Sequence, residues 1–202
     1  MTFYMESHKL LPALHFGGWP GRTTTDAVHF LVHKIKDTWH KHQVTAVLFL
    51  NIEGASPNAV NSRLIHSMKK WGLSDMITNF AGTMLSNQST VLCFDDYISR
   101  EIELGNRIGQ GDPLSMALYQ YYNTDILKIS CKSNKSAEAY VDDAILIATA
   151  KTFEDVHTIL VDMMQRKGGM IEWFKFHNSP IEFSKLMLIN FAHYRVKKPP
   201  PH

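Results

Sequence analysis

The chain has 202 residues, of which 45% are hydrophobic, 11% aromatic and 20% charged. That is enough to bury the core of one globular domain. Its 21 basic and 19 acidic residues leave a formal charge of +2, so no net field advertises nucleic acid, and such a role would have to rest on locally placed charge. Two cysteines, Cys93 and Cys131, exclude a disulfide scaffold or four-thiolate metal site and read as small core residues in a reducing compartment. No apolar run approaches the roughly 18 residues of a membrane span. The first residues lack a secretory pattern, so the expectation is a soluble intracellular protein that is not secreted.

After the turn-rich "GGWPGR", Thr23 with Asp26 three positions on is close to a capping box. Val28, Leu31, Val32, Ile35 and Trp39 follow at helical spacing. His29 and His33 lie one turn apart on that helix, the spacing of a metal pair; with no acidic third ligand apparent, they read as solvated surface. "TAVLFL" is a short apolar run typical of a strand covered on both faces. "EGASPN" reads as a turn, followed by a helix with Val60, Leu64, Ile65 and Met68. Another helix after Ser74 carries Met76, Ile77, Phe80 and Met84.

"STVLCF", "DDY" and "ISREIEL" make a hairpin turning near Asp95 and Asp96. "NRIGQGDP" is a glycine-rich loop, and Pro113 suits the first position of a helix through Leu127. "EAYVDDAILIATA" reads as two strands around an Asp-Asp turn. Thr152 with Asp155 caps a helix holding Val156, Ile159, Leu160 and Met163, ended or bent at Gly168-Gly169. "FSKLMLINF" is a last strand, and "KKPPPH" a disordered tail. Strands alternating with helices, plus a hairpin, give an α/β or α+β sheet with helices packed on it.

Two of these loops are ambiguous singly. In "AYVDDAI" the aspartates suit a turn, yet apolar strands on both sides also carry two carboxylates to a sheet edge, where a hard cation such as Mg²⁺ finds oxygen ligands. In "IGQGDPLS" the glycines either shape a loop or let backbone approach a ligand beside Gln110.

Their order resembles the reverse-transcriptase palm of non-LTR (LINE-type) retrotransposons, from about Leu11 to Phe191. "FGGWPGRTTTDA" is similar to the family's fingers motif, "VLFLNIEGAS" to its first palm motif and "RIGQGDPLS" to its Gly-Gln-Gly loop. "YVDD" is similar to its metal-binding turn and "FSKLMLI" to its lysine-bearing motif. The resemblance implies an α+β right-hand polymerase palm, an antiparallel sheet backed by helices, with partial fingers and no thumb. It divides the chain into an N-terminal segment (1–10), the palm with partial fingers (11–191) and a tail (192–202). The implied activity is RNA-directed DNA synthesis with two Mg²⁺ ions, on an RNA template with a DNA primer and dNTPs.

Carried over by position, Asp142 is a direct metal ligand and Asp143 a neighbouring acid. Lys185 is a proton donor to pyrophosphate, and Arg22 reaches the triphosphate. Gly109, Gln110 and Gly111 contact nucleotide and template.

Three positions depart from the family. Asn51 stands where the resemblance implies the other metal-binding aspartate; asparagine keeps its shape and loses its charge. Ser56 replaces a bulky aromatic that excludes the ribose 2′-hydroxyl, and Trp19 an arginine. Two dications held close together need anionic ligands. The expectation is therefore a crippled polymerase, or a noncatalytic RNA or RNA–DNA duplex-binding remnant of the same fold. Glu53, two residues beyond Asn51, would share its face if the strand continued, with little compensation expected. The geometric expectation is that Asn51 sits within a few ångströms of the Asp142 carboxylate.

Overall fold

A computed structural model of the chain describes residues 2–10, 12–18, 21–105, 108–109, 113–129 and 134–193. The helices are α1 (Thr2–Ser7), α2 (Thr24–His40), α3 (Ala55–Asn58), α4 (Asn61–Lys70), α5 (Asp75–Leu85), α6 (Pro113–Asn123), α7 (Phe153–Gln165) and α8 (Met170–Phe176). The strands are β1 (Val44–Leu50), β2 (Ser89–Thr90), β3 (Cys93–Phe94), β4 (Tyr97–Ile98), β5 (Ile102–Glu103), β6 (Lys135–Tyr140), β7 (Asp143–Ala150) and β8 (Met187–Phe191).

Two helices start where their side chains stop them unravelling. Thr23 accepts from the Asp26 amide while the Asp26 carboxylate accepts from the Thr23 amide, a complete capping box for α2. Thr152 accepts from the Asp155 amide ahead of α7.

The main sheet has the order β6-β7-β1-β8, with every neighbouring pair antiparallel. Because β1 is central, its apolar run is covered on both faces. Val44, Ala46, Leu48 and Leu50 join the larger core with residues of α4, α6, α7 and α8. Val47 instead meets Leu31 and Ile35 of α2 across Ile147. The sheet is thus a layer between α2 on one face and the remaining large helices on the other. Among the described residues no helix is long and apolar enough to cross a membrane.

Several expectations need correcting. On α5, Met76 and Phe80 are exposed, and Thr78, Ala81 and Leu85 are buried instead. Apolar residues surround that helix, so periodicity alone does not choose its inner face. On α2, Leu31 and Ile35 are buried, but Val28 and Val32 are largely open because the helix covers only part of the sheet. The hairpin does turn at Asp95-Asp96, between Phe94 and Tyr97. It projects from the body, leaving Cys93 exposed rather than in a core. Cys131 and the tail beyond residue 193 lie outside the described residues.

Candidate functional site

The β6–β7 hairpin pairs Tyr140 with Asp143, so its two turn residues are Val141 and Asp142. The expected Asp-Asp turn is displaced by one residue: Asp142 occupies the tip and Asp143 opens β7. Val141 has φ 56°, a left-handed conformation that a β-branched residue adopts only under strain. The strain is held by neighbours. The Asn123 amide donates to the Val141 carbonyl, and its oxygen meets His15 Nε2 at 3.0 Å. With the amide nitrogen so committed, His15 must carry its proton on Nε2. Burial lowers the His15 pKa to about 4, and its bond to Asn123 opposes the shift.

The segment before α2 lies along the outer edge of β6, through Phe16 N to Ala139 O (2.9 Å) and Ala139 N to Leu14 O (3.1 Å). Gly17 therefore faces the turn. A Cβ there would stand 2.5 Å from Val141 Cγ2 and 2.6 Å from Val141 N, so glycine is required by close approach. Gln120 donates to the Gly17 carbonyl from below.

On the other side, the chain after β1 pairs with the chain before β8. Ile52 bridges Ile181, Glu53 N donates to Pro180 O at 2.9 Å, and Glu182 N to Asn51 O at 3.0 Å. This brings the 3₁₀ turn Phe183–Lys185 to the same edge. Lys185 sits on that turn and not on the strand, which starts at Met187.

Three functional candidates meet there. Asn51 Nδ2 donates to Asp143 Oδ1 at 3.1 Å, and Lys185 Nζ donates to Asn51 Oδ1 at 3.4 Å. One neutral amide thus bridges a carboxylate and an ammonium. Asn51 and Asp142 share a polar cleft of about 280 Å³, lined also by Glu53, Ser56, Glu182 and Lys185. Half-burial raises the Asp142 pKa; the charge of Asp143 adds to this and that of Lys185 opposes it.

The strand ends at Leu50, so the shared-face argument for Glu53 does not hold. Glu53 lies in the following turn and still lines the cleft. Ser56 sits on α3, and its carbonyl accepts from Ile108 N at 3.1 Å, which ties the segment carrying Gly109 beside it. Arg22 donates to the carbonyls of Ala13 and His15 at 2.6 and 2.9 Å and lies over Phe16. Gln110, Gly111 and Trp19 lie outside the described residues.

His29 and His33 are exposed on α2. Among the described residues, no group of three or more His, Cys, Asp and Glu side chains is gathered to hold a metal ion.

Sequence reasoning missed Glu182, Gln120, Asn123 and Glu138. Gln120 and Asn123, three apart within an apolar helix, were a usable signal, since buried polar groups seek partners. Glu182 reaches the cleft only through a pairing remote in sequence.

No protein-family model matches the chain, and no curated protein matches it. Solved structures match by fold. Telomerase from Candida tropicalis, in complex with a TWJ fragment of telomeric RNA, gives a TM-score of 0.64 at 12% identity, over 83% of this chain and 30% of that one. The apo enzyme truncated from its C-terminal domain gives 0.63 at 10% identity, over 88% and 37%. Candida albicans telomerase with a TWJ fragment gives 0.52 at 9% identity, over 98% and 33%. The chain spans about a third of the length of these telomerase chains. At such identities the likeness is one of fold alone: a mixed helix-and-sheet fold with an antiparallel sheet, similar to that of part of telomerase.

Proposed function

We propose that the chain is the palm, with part of the fingers, of a non-LTR (LINE-type) reverse transcriptase whose RNA-directed DNA synthesis has fallen to near background. The observation that carries this reading is the Asn51 amide seated against Asp143 at the sheet edge, where the family resemblance calls for a carboxylate. In this reading Asp142 and Asp143 are the surviving acids and Lys185 the proton donor. Arg22, Ser56, Gly109, Gln110 and Gly111 line the path of nucleotide and template.

A pair of Mg²⁺ ions does not fit these residues as they stand. Asn51 turns N–H toward Asp143, and its single oxygen already accepts from Lys185. Two dications would have two aspartates where the family supplies three, and a fixed ammonium beside them raises the electrostatic cost further.

Primer extension on an RNA template, with Mg²⁺ or Mn²⁺, tests the reading. Extension is expected only in variants containing Asn51→Asp, whether alone or with Ser56→Phe and Trp19→Arg. Vigorous Mg²⁺-dependent synthesis by the unmodified chain would overturn it.

The RNA fragment held by the matched telomerase favours a second reading, a noncatalytic RNA or RNA–DNA duplex binder. Salt-dependent duplex binding with no extension by any variant would select that one.

A further inference from the structure

From Ser89 to Glu103 every residue except Ser99 is exposed. The run includes Val91, Leu92, Phe94, Tyr97, Ile98 and Ile102, each between 41% and 69% exposed. Its backbone is nonetheless paired as a hairpin. β3 pairs with β4 and β2 with β5, and Ser99 N donates to Leu92 O at 2.9 Å. At the tip Phe94 and Tyr97 stack, with ring centroids 5.4 Å apart. Among the described residues each of these strands has one neighbour, so both outer edges present backbone N–H and C=O groups to solvent. A lone two-stranded hairpin is marginally stable in water and gains stability from further strands or a packed face.

The two edges differ. The returning strand carries Arg100, Glu101 and Glu103, and charged side chains discourage edge pairing. It is also bulged, because Val91 and Leu92 stand opposite Ser99, Arg100 and Glu101 between the pairs Thr90–Ile102 and Cys93–Ile98. The outgoing strand, Ser89–Phe94, reads STVLCF, with no charge and no proline. It is the edge left open to another strand.

Charge decides which strand fits. A basic strand would find no carboxylate along this edge, and an acidic one would approach Asp95 and Asp96 at the turn. The same strand from a second copy meets neither difficulty. Antiparallel pairing along Ser89–Phe94 sets uncharged residues opposite one another and carries the two acidic turns to opposite ends. Seven residues at about 3.4 Å each separate those turns by about 24 Å, well beyond the screening length of about 8 Å. A two-fold axis between the strands makes every contact twice.

We propose that this edge is a self-association surface. Ser89–Phe94 of one copy pairs antiparallel with the same strand of a second copy, joining the two hairpins into one four-stranded sheet. None of its residues lines the cleft at Asn51, so the surface does not depend on the polymerase reading.

Sedimentation of the intact chain, with isotope-filtered NMR on mixed labelled and unlabelled copies, tests the assignment. Reducing conditions keep the exposed Cys93 thiols from joining copies covalently. The mass is expected to rise from one chain toward two with concentration, with intermolecular NOEs confined to Ser89–Phe94. Val91→Lys, which charges the pairing strand, should weaken association at least tenfold. Ile102→Lys, on the returning strand, should leave it within about threefold. A one-chain mass at every concentration, intermolecular NOEs elsewhere, association that survives Val91→Lys, or equal weakening by Ile102→Lys would overturn it.

Discussion

Two buried polar groups sit close together in the fold and are treated in opposite ways. Under the Val141-Asp142 turn, Asn123 uses both ends of its amide, binding His15 on one side and the Val141 carbonyl on the other. On β6, a few residues before that turn, Glu138 is as deeply buried yet has no hydrogen bond. The first arrangement fixes geometry: it holds a strained residue at the tip of a hairpin that presents Asp142. The second leaves an interaction unmade. A polar group satisfied in the interior specifies one structure, while an unsatisfied one costs stability and leaves its ionisation sensitive to pH.

The largest expected effect comes from breaking the satisfied group. Asn123→Ala strands the His15 ring N–H and the Val141 carbonyl, at about 1–3 kcal/mol for each orphaned group. A loss of about 4 kcal/mol is expected in urea unfolding. A change below about 1 kcal/mol would mean that the turn holds itself.

Next is pH. The folded state holds the Glu138 proton more tightly than the unfolded chain does, since burial lifts that carboxyl from 4.5 to about 7. Its contribution is therefore fully present below about pH 4.5 and is lost as pH rises through 7. At 1.36 kcal/mol per unit, the loss comes to about 3 kcal/mol. His15 has the opposite sign: its pKa falls from 6.5 to about 4, so its contribution is lost as pH drops through that range. The two windows overlap, so their opposite slopes cancel between about pH 4.5 and 6.5, and unfolding free energies of the unmodified chain should be nearly flat there. Glu138→Gln should uncover the His15 slope, a rise in stability with pH over that range; a profile left flat by Glu138→Gln would sink the assignment.

The same contrast explains what the sequence made legible. Local signals worked: Thr23 and Thr152 cap helices, Asp95-Asp96 turns a hairpin, and "TAVLFL" forms a central strand. At the candidate site, Asn51, Asp143 and Lys185 come together, although Asn51 contacts Asp143 and only shares a cleft with Asp142. Contacts made across the fold were not readable. Glu138 looks like any strand residue until α2 leaves part of the sheet uncovered. Glu182 gains its place from a bridge between segments more than a hundred residues apart. The inner face of α5 failed for a different reason, since its apolar residues do not lie on one side.

A smaller effect should follow from crowding the turn. Gly17→Ala puts a methyl group against Val141, including its backbone nitrogen, and backbone cannot rotate away as a side chain can. Overpacking of this kind costs typically 1–3 kcal/mol, so a loss of about 2 kcal/mol is expected. Amide resonances of Val141 and Asp142 should move while those around Glu138 stay. Perturbation spreading equally to both places would show that the turn and the surroundings of Glu138 are one cooperative unit.

The smallest effect tests the start of α2, and what fixes that end is local: the Thr23 hydroxyl and the Asp26 carboxylate close a capping box. Removing a helix cap costs about 1 kcal/mol, so Thr23→Ala should destabilise by about that much. Because the Thr23 hydrogen bonds are the first cause of the lowered Asp26 pKa, that pKa should rise back toward its ordinary value in the variant. Hydrogen exchange should quicken in the first turn of α2, beside Ala27 and Val28, with protection at Val141 unaltered. If exchange instead quickens at the turn as well, the segment before α2 transmits strain from the helix through Gly17 to Val141.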